Sequence, residues 1–495
     1  MASLKGNIIL NYINTISGLI FPIVTFPYAA RVLQPEGIGV VNFQNSIVGY
    51  IVLLTSLGIP LYAVREIAKC RDNLELRDRT TVEITLLSFL LCLLGYVAVW
   101  LLGEYVPRIH EEATLFYILS LTIIFTGIGV QWFYQGMEDF LFITVRGLVI
   151  RFLCAISLFV FVKDQGDLLI YGLVIVGSTV GNNLINFIHL HKYIQPSRID
   201  WSRLNITRHI RPAFRIFMLN VVISIYVQLN TIMLGFMTDD RTVGLFTSGV
   251  KITHILTVII TSLSAVMLPR CAHLIGEGKI DEFNGIIRKS YYLLMFSAIP
   301  LTVGIILMAR PITLCFCGDD YVGSIPVVIF TAPTIIFIGM TQIIGIQILY
   351  PYGKEMLVIY STLVAAVLNV VLNLLLIPLF EETGAALSTL IAEFSVLVVQ
   401  VKLGNAFIPF RFVDRQVGNY LLAAVAMSLG ILLCMMIDNI WWQMLVATAA
   451  GAAIYASVLY ARKDNVLQEI YRLALRRQRI YFTKKQDDRC IFGKW

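Results

Sequence analysis

Charge is scarce in this sequence. Asp, Glu, Lys and Arg make up 14% of its 495 residues, while 58% are apolar or aromatic. A soluble domain carries roughly a quarter charged residues, so about half the usual solvating surface is missing. No soluble core hides that much apolar surface, but a bilayer does. Catalytic patterns are missing too. There is no HExxH, no phosphate-binding loop, no Ser/His/Asp arrangement and no carboxylate pair set for acid–base work. The eight cysteines (70, 92, 154, 271, 315, 317, 434 and 490) sit mostly singly in apolar runs, with no His at zinc spacing. That excludes a disulfide framework and a zinc site. The close pair, Cys315-Phe-Cys317, has strand-like spacing that suits neither, and all eight read as small packing residues. No cleavable signal peptide is expected: the apolar run from Ile8 to Ala30 is too long for one and reads as an uncleaved first span.

What is present is a train of apolar stretches of about twenty residues, each long enough to cross a bilayer as a helix. They fall near 8–30, 38–62, 82–102, 114–135, 141–162, 168–190, 212–236, 242–268, 291–309, 326–349, 356–379, 384–402, 418–437 and 440–460. The short alternating strands of a membrane barrel are not seen. The chain is expected to be an all-α polytopic membrane protein of about 14 transmembrane helices. Basic residues set its orientation. The N-terminus, the even-numbered breaks and the tail hold 29 Lys and Arg, against 5 in the odd-numbered breaks. Both termini are therefore expected in the cytoplasm.

A weak repeat runs through the sequence. Ile38-Gly39 opens the second span and Val243-Gly244 the eighth, 205 residues later, and Arg65 and Arg270 close the same two spans at the same spacing. Such a repeat predicts two six-helix halves in one orientation with a cleft between them. The expected divisions are an N-lobe at 1–195, a C-lobe at 196–402, two further spans at 403–461 and a basic tail at 462–495. The stretch from His191 to Arg211 would be the cytoplasmic linker. In the tail, Val466, Leu467, Ile470 and Leu473 have helical spacing beside Arg472, Arg476, Arg477 and Arg479. That is either a helix lying on anionic membrane lipids or ordinary positive-inside charge.

Charges inside spans are costly and informative. Four stand well inside: Arg146 and Arg151 in the fifth span, Lys251 in the eighth and Glu393 in the twelfth. Arg151 lies roughly 15 Å and Lys251 roughly 13 Å from the nearer span end at the helical rise. Neither snorkels easily, whereas Arg146 is shallow enough to reach headgroups. A wet cationic cleft built from them would suit a diphosphate, whose oxygens match the guanidinium fork. The alternative is a buried pair in which Glu393 neutralises Lys251 or Arg151. Amides at Asn11, Asn14, Asn220, Gln228, Asn230, Asn369 and Asn373 either meet sugar hydroxyls or hold helices together. Pro22, Pro27 and Pro60 suit bent or hinged spans as well as static ones.

Several segments, in order along residues 1–402, resemble the Wzx-type polysaccharide flippases. They are Arg31-Val-Leu-Gln-Pro35-Glu-Gly37-Ile-Gly39, Tyr62-Ala-Val-Arg65-Glu66-Ile-Ala68, Trp132-Phe-Tyr-Gln-Gly136-Met-Glu138-Asp139 and Val227-Gln-Leu-Asn-Thr-Ile-Met-Leu-Gly235. Gln347-Ile-Leu-Tyr-Pro351-Tyr-Gly353-Lys354 and Gly384-Ala385-Ala386 continue the series. The resemblance implies the multidrug/oligosaccharidyl-lipid/polysaccharide (MOP) exporter fold, with two pseudo-symmetric six-helix lobes forming a V plus two extra C-terminal helices. It implies an undecaprenyl-diphosphate-linked oligosaccharide carried from the cytoplasmic to the periplasmic leaflet of the bacterial inner membrane, for surface polysaccharide such as O-antigen, alongside polysaccharide polymerase machinery. Relatives often have aspartate in the seventh-span segment. Asn230 stands there instead and removes that carboxylate from any cation coupling, leaving Glu393 as the in-span coupling candidate for a proton or sodium gradient, or the membrane potential itself as the drive. No cofactor, metal or nucleic acid is expected.

Two other readings compete. A lipid II flippase or another MOP-superfamily exporter shares the architecture, and lipid II carries the same diphosphate. A drug antiporter would need in-span carboxylates that the first and seventh spans lack. A membrane-embedded polymerase or ligase would place catalytic groups on a large outer loop, and the longest outer break, about 310–325, holds no such constellation.

Overall fold

The computed structural model describes residues 4–469 and 471–472, and within them all regular structure is helical. In chain order the helices are α1 (Leu4–Ser56), α2 (Ile59–Cys70), α3 (Leu74–Tyr105), α4 (Pro107–His110), α5 (Ala113–Ile128), α6 (Gln131–Gly136), α7 (Phe140–Phe161), α8 (Leu168–Leu190), α9 (Ile210–Met237) and α10 (Asp240–Gly276). They continue with α11 (Ile280–Leu307), α12 (Ala309–Cys317), α13 (Ser324–Thr331), α14 (Thr334–Thr341), α15 (Glu355–Gly404), α16 (Arg415–Cys434) and α17 (Ile440–Ala461). The tail helix expected at 465–480 falls largely outside the described residues.

Among the described residues, eleven helical stretches are long and apolar enough to cross a membrane, and two of them, Ile13–Cys70 (α1 with α2) and Glu355–Phe407, run to 58 and 53 residues. At about 1.5 Å per residue each is more than twice the roughly 30 Å hydrocarbon core, so each holds two spans. Both turn at a left-handed residue: Gln34 (φ 57°) in α1 and Glu381 (φ 48°) in α15. Pro35 follows the first, and proline removes a helical donor and drives the preceding residue out of the α region. With the two doubled spans separated and α9 added, the architecture is consistent with about fourteen crossings. Large apolar side chains such as Leu94, Leu379 and Leu433 stand exposed on the helices, as a lipid-facing surface requires.

Some expected boundaries shift. The second span does not run unbroken to residue 62, because Leu57 and Gly58 are both left-handed and end α1 there. Gly58 also has no room for a side chain: a Cβ would sit 2.7 Å from the Ala213 carbonyl oxygen and from Phe217 N. The fourth span breaks at Gly129-Val130, between α5 and α6. The tenth widens into a π-helical stretch at Gln342–Leu349. Cys315 and Cys317 lie on α12, a helix rather than a strand, and both are free thiols.

The chain forms two compact units: residues 1–251, 316–327 and 362–392, and residues 252–315, 328–361 and 393–495. In the first unit, the second half of α1 crosses α10 with a fixed offset of 205. Arg241 Nη1 pairs with Glu36 Oε1 at 2.6 Å, and Asn42 Nδ2 donates to Thr247 Oγ1 at 2.9 Å. Between them Gly39 and Gly244 let the backbones touch. A Cβ on Gly39 would lie 1.7 Å from the Asp240 carbonyl oxygen, and one on Gly244 would lie 1.8 Å from that of Pro35. Close crossings of this kind rest on small residues, because apolar burial drives little between helices in lipid. Offset, ion pair and glycines repeat the spacing seen in the sequence.

At the other end of that unit the segment from 193 to 209 is bound to α3. Glu83, fully buried, accepts from Asn205 N (2.7 Å), Arg79 Nε (2.9 Å), His209 Nε2 (2.9 Å) and Arg208 Nη2 (2.5 Å). Asp78, also fully buried, accepts from Arg77 Nη2 (2.8 Å) and Gln195 N (3.2 Å), and Arg77 Nη2 donates to the Tyr193 carbonyl at 2.7 Å. A buried carboxylate is costly unless it is paired and hydrogen-bonded, and both of these are. The aromatic residues Tyr62, Trp132, Phe133 and Tyr134 form the adjoining core.

In the second unit α16 and α17 pack together and α16 lies along α11. Tyr455 Oη donates to the Phe296 carbonyl at 2.9 Å, and Tyr291 Oη to that of Phe412 at 2.6 Å, with the Tyr291 and Phe410 rings stacked 4.2 Å apart.

Candidate functional site

Four helices of the first unit, α1, α6, α7 and α8, enclose a recess of about 190 Å³. Asn14 comes from α1, Gln131 from α6, Arg146 and Arg151 from α7, and Ser178, Asn182 and Asn183 from α8. Helix α7 starts cleanly because Asp139 caps it, its carboxylate accepting from Phe142 N at 3.3 Å. At 3.6 residues per turn, positions 146 and 151 lie about 1.4 turns apart and roughly 140° around the helix, so their long side chains reach the recess from different sides of α7. Gly147, between them, leaves space that Asn14 fills: a Cβ there would come 3.2 Å from Asn14 Oδ1.

The two arginines are held differently. Arg151 Nη1 donates to the Asn14 carbonyl (3.0 Å), to Asn14 Oδ1 (3.1 Å) and to the Ser17 hydroxyl, all neutral acceptors. Arg146 is buried, only 7% exposed. Its Nε donates to Asn182 Oδ1 at 3.0 Å, and its guanidinium lies 5.4 Å from the centre of the Phe142 ring. Its Nη1 has no hydrogen-bond partner among the described residues. A buried charged donor left without an acceptor is expensive, so it marks a place where an acceptor is to be supplied. No carboxylate lines the recess, and among the described residues neither arginine enters an ion pair. The site is a net-positive pocket whose other polar groups are amides and hydroxyls. It suits an anion with several oxygens beside neutral hydrogen-bonding groups.

The structure brings Asn14, Arg146 and Arg151 together. Among the other expected site residues, Asn11, Asn230, Lys251 and Asn369 do not line the recess. Lys251, on α10, places its Nζ 3.9 Å from the Phe26 ring centre, a cation–π contact. Asn230, Asn369 and Asn373 form a buried amide chain between α9 and α15. Asn373 Nδ2 donates to Asn230 Oδ1 (2.6 Å) and Asn369 Oδ1 (3.3 Å), and Asn230 Nδ2 donates to Thr389 Oγ1 (2.8 Å). That is interhelical hydrogen bonding, the packing role such amides have in spans. Asn11 is exposed on α1, its carbonyl accepting from Thr15 Oγ1. The side chain of Asn220 falls outside the described ones. Glu393, on α15, belongs to the second unit. The sequence reading missed Asn182, Asn183 and Ser178. Two adjacent amides in mid-span were the available signal, and their relation to Arg146 was not, since 36 residues separate it from Asn182.

Residues 4–275 match the family described as polysaccharide biosynthesis protein, and residues 216–375 match the MatE family. A protein of Escherichia coli (strain K12) named "Putative O-antigen transporter" is 24% identical over 396 residues, 79% of this chain and 94% of its own. One of the same name from Shigella dysenteriae is 22% identical over 407 residues, 81% and 99% of the two chains. Among solved structures, a lipid II flippase MurJ in an inward closed conformation superposes with a TM-score of 0.72 at 16% identity, covering 92% of this chain and 99% of that one. At that identity the likeness is one of fold.

Proposed function

The chain belongs to the polysaccharide biosynthesis protein family, as a Wzx-type member of the MOP superfamily, and from that premise we propose that it flips an undecaprenyl-diphosphate-linked oligosaccharide from the cytoplasmic to the periplasmic leaflet. The observation that carries this reading is the carboxylate-free recess with Arg146 Nη1 unpartnered beside Arg151. At about 190 Å³ it is smaller than the roughly 300–1,000 Å³ of drug-sized sites, which suits a phosphate group rather than a whole glycan and lipid. The diphosphate would bind the guanidinium forks, and Asn182, Asn183 and Ser178 would meet the first sugar. Transport moves the molecule without making or breaking a bond. Lys251 stands as a separate cation on the path, and Glu393 as the carboxylate that couples movement to a gradient.

Purified protein in liposomes containing a defined lipid-diphosphate oligosaccharide tests the reading. Translocation by the native chain, and its loss in an Arg146→Gln/Arg151→Gln variant that still folds, is the expected result. Equal translocation by that double variant would remove the cationic recess from the mechanism. Faster movement of lipid II than of any oligosaccharide tried would replace the cargo while leaving the recess in place. Glu393→Gln should abolish dependence on a proton or sodium gradient, and unaltered dependence would exclude Glu393 as the coupling group.

A further inference from the structure

One end of the second unit gathers positive charge that its own structure does not neutralise. The segment 405–414 leads into α16 beside the first turns of α11, and α17 ends next to the start of α16. Two adjoining recesses lie there, meeting at Asp414-Arg415. One, of about 450 Å³, is lined by Arg288, Arg411 and Asp414, and the other, of about 220 Å³, by Arg415, Arg462, Lys463 and Asp464. The two local acids are committed to building the fold. Asp414 caps α16 through Val417 N (2.9 Å) and accepts from Tyr292 Oη. Asp464, buried, accepts from Leu467 N at 3.0 Å. Among the described residues Arg411, Arg415, Arg462 and Lys463 form no ion pair.

A second observation comes from the backbone. Helix α17 closes with Asp464 N–H reaching back to the Leu459 carbonyl at 3.0 Å, and the residue between, Lys463, is left-handed at φ 54°. This is the position at a helix end where glycine sits without strain. A lysine there is disfavoured by local conformation, and an outlier of this kind points to a use for the side chain. Exposed apolar and aromatic residues flank the cations: Val413, Tyr460 and Tyr471. Helices α16 and α17 are both apolar enough to span, so their ends lie at headgroup depth, where aromatic and basic residues together meet lipid.

We propose that this end of the second unit binds the headgroup of an anionic phospholipid, with Arg411, Arg415, Arg462 and Lys463 holding its phosphate and Val413 and Tyr460 meeting its acyl chains. The apolar flank distinguishes a lipid from free phosphate, which needs none. The site is independent of the cargo and of the arginine recess on the other unit.

Native mass spectrometry of the full-length protein, titrated with phosphatidylglycerol and with phosphatidylcholine, tests it. The native chain should retain phosphatidylglycerol in preference to phosphatidylcholine. Arg411→Gln/Arg462→Gln should reduce that retention about tenfold or more, since two phosphate-facing charges are lost. Lys463→Gly is the sharper variant. It relieves the left-handed strain, so the melting temperature should hold or rise while phosphatidylglycerol retention falls. Equal retention of the two lipids, or unchanged retention in both variants, would overturn the proposal and leave these residues as orientation charges. Displacement of the lipid by millimolar inorganic phosphate would overturn the lipid assignment in favour of free phosphate. Lipid retention is measured without cargo, so failure here and failure of the transport reading are separate results.

Discussion

Arg151 and Arg146 differ in what their removal leaves behind. Arg151 is held by Asn14 and Ser17, so its loss strands no carboxylate and should barely move the melting temperature. Arg151→Gln should nevertheless weaken cargo binding by roughly tenfold to a hundredfold, the range for a lost charge-assisted hydrogen bond. Arg151→Lys should restore only part of it, because an ammonium lacks the planar fork. Binding of the labelled lipid to detergent-purified variants, run beside thermal melting, checks both halves. His209 supplies a pH-dependent counterpart. Burial pushes its imidazole below the usual value, with the Glu83 bond pulling the other way. Its Nδ1 lies 2.7 Å from the Tyr62 hydroxyl and its Nε2 2.9 Å from Glu83 Oε2, with Arg208 Nε 3.2 Å from the same Nε2. With the folded value below the unfolded one of about 6.5, the stability it contributes is complete above that pH. It is lost as pH falls and the unfolded chain takes up the proton first. The melting temperature should therefore drop from about pH 7.5 to about pH 5.5, and the drop should be shallower in His209→Gln.

Among the elements, α1 and α10 cross with their backbones touching at Gly39 and Gly244, and if the proposed flipping proceeds by alternating access between two lobes, this crossing is a contact that would have to open. Cross-linking it should stop the cycle. In a background lacking the native cysteines, Asn42→Cys/Thr247→Cys joined by an oxidant or a short bifunctional thiol reagent should abolish flipping, and a cleavable linker should restore it on reduction. Undiminished transport by the cross-linked protein would make the crossing a static joint. The 205-residue spacing of these partners was legible in the sequence because glycines and their neighbours repeat in order. The apolar runs likewise announced the spans, since a bilayer demands about twenty such residues each time. The turn at Gln34 falls in the expected break between the first two spans, where Pro35 announces it, whereas the one at Leu57-Gly58 was not legible, because it depends on the approach of Phe217 from a distant helix. The recess was half legible. Arg146 and Arg151 stand out as charges inside a span, whereas their acceptors, Asn14 and Asn182, look like any other amide until the helices are packed. Asn230, Asn369 and Asn373 looked no different and proved to bond one another.

For the molecule as a whole, orientation rests on where the basic residues collect, and the fold adds a constraint that the charge count lacks. The breaks around residues 72 and 202 are tied together: Asn205 N donates to Glu83 at 2.7 Å and an Arg79 guanidinium N–H donates to the Arg203 carbonyl. Positions 72 and 202 must therefore report the same side of the membrane. The break at 163–167, at the far end of the 22-residue helix α7, must report the other. Asp72 is preferable to Asn73 for labelling, because the Asn73 side chain caps α3 and its loss would cost about 1 kcal/mol. In a cysteine-free background, Asp72→Cys and Ser202→Cys should resist an impermeant thiol reagent in intact cells and react after permeabilisation. Gln165→Cys, exposed in the opposite break, should react at once. The reverse pattern would invert the orientation and, with it, the leaflet from which the proposed arginine recess would receive cargo. A split result, with 72 on one side and 202 on the other, would contradict the fold itself, because the buried carboxylate of Glu83 is satisfied only when residues 205–209 lie against α3.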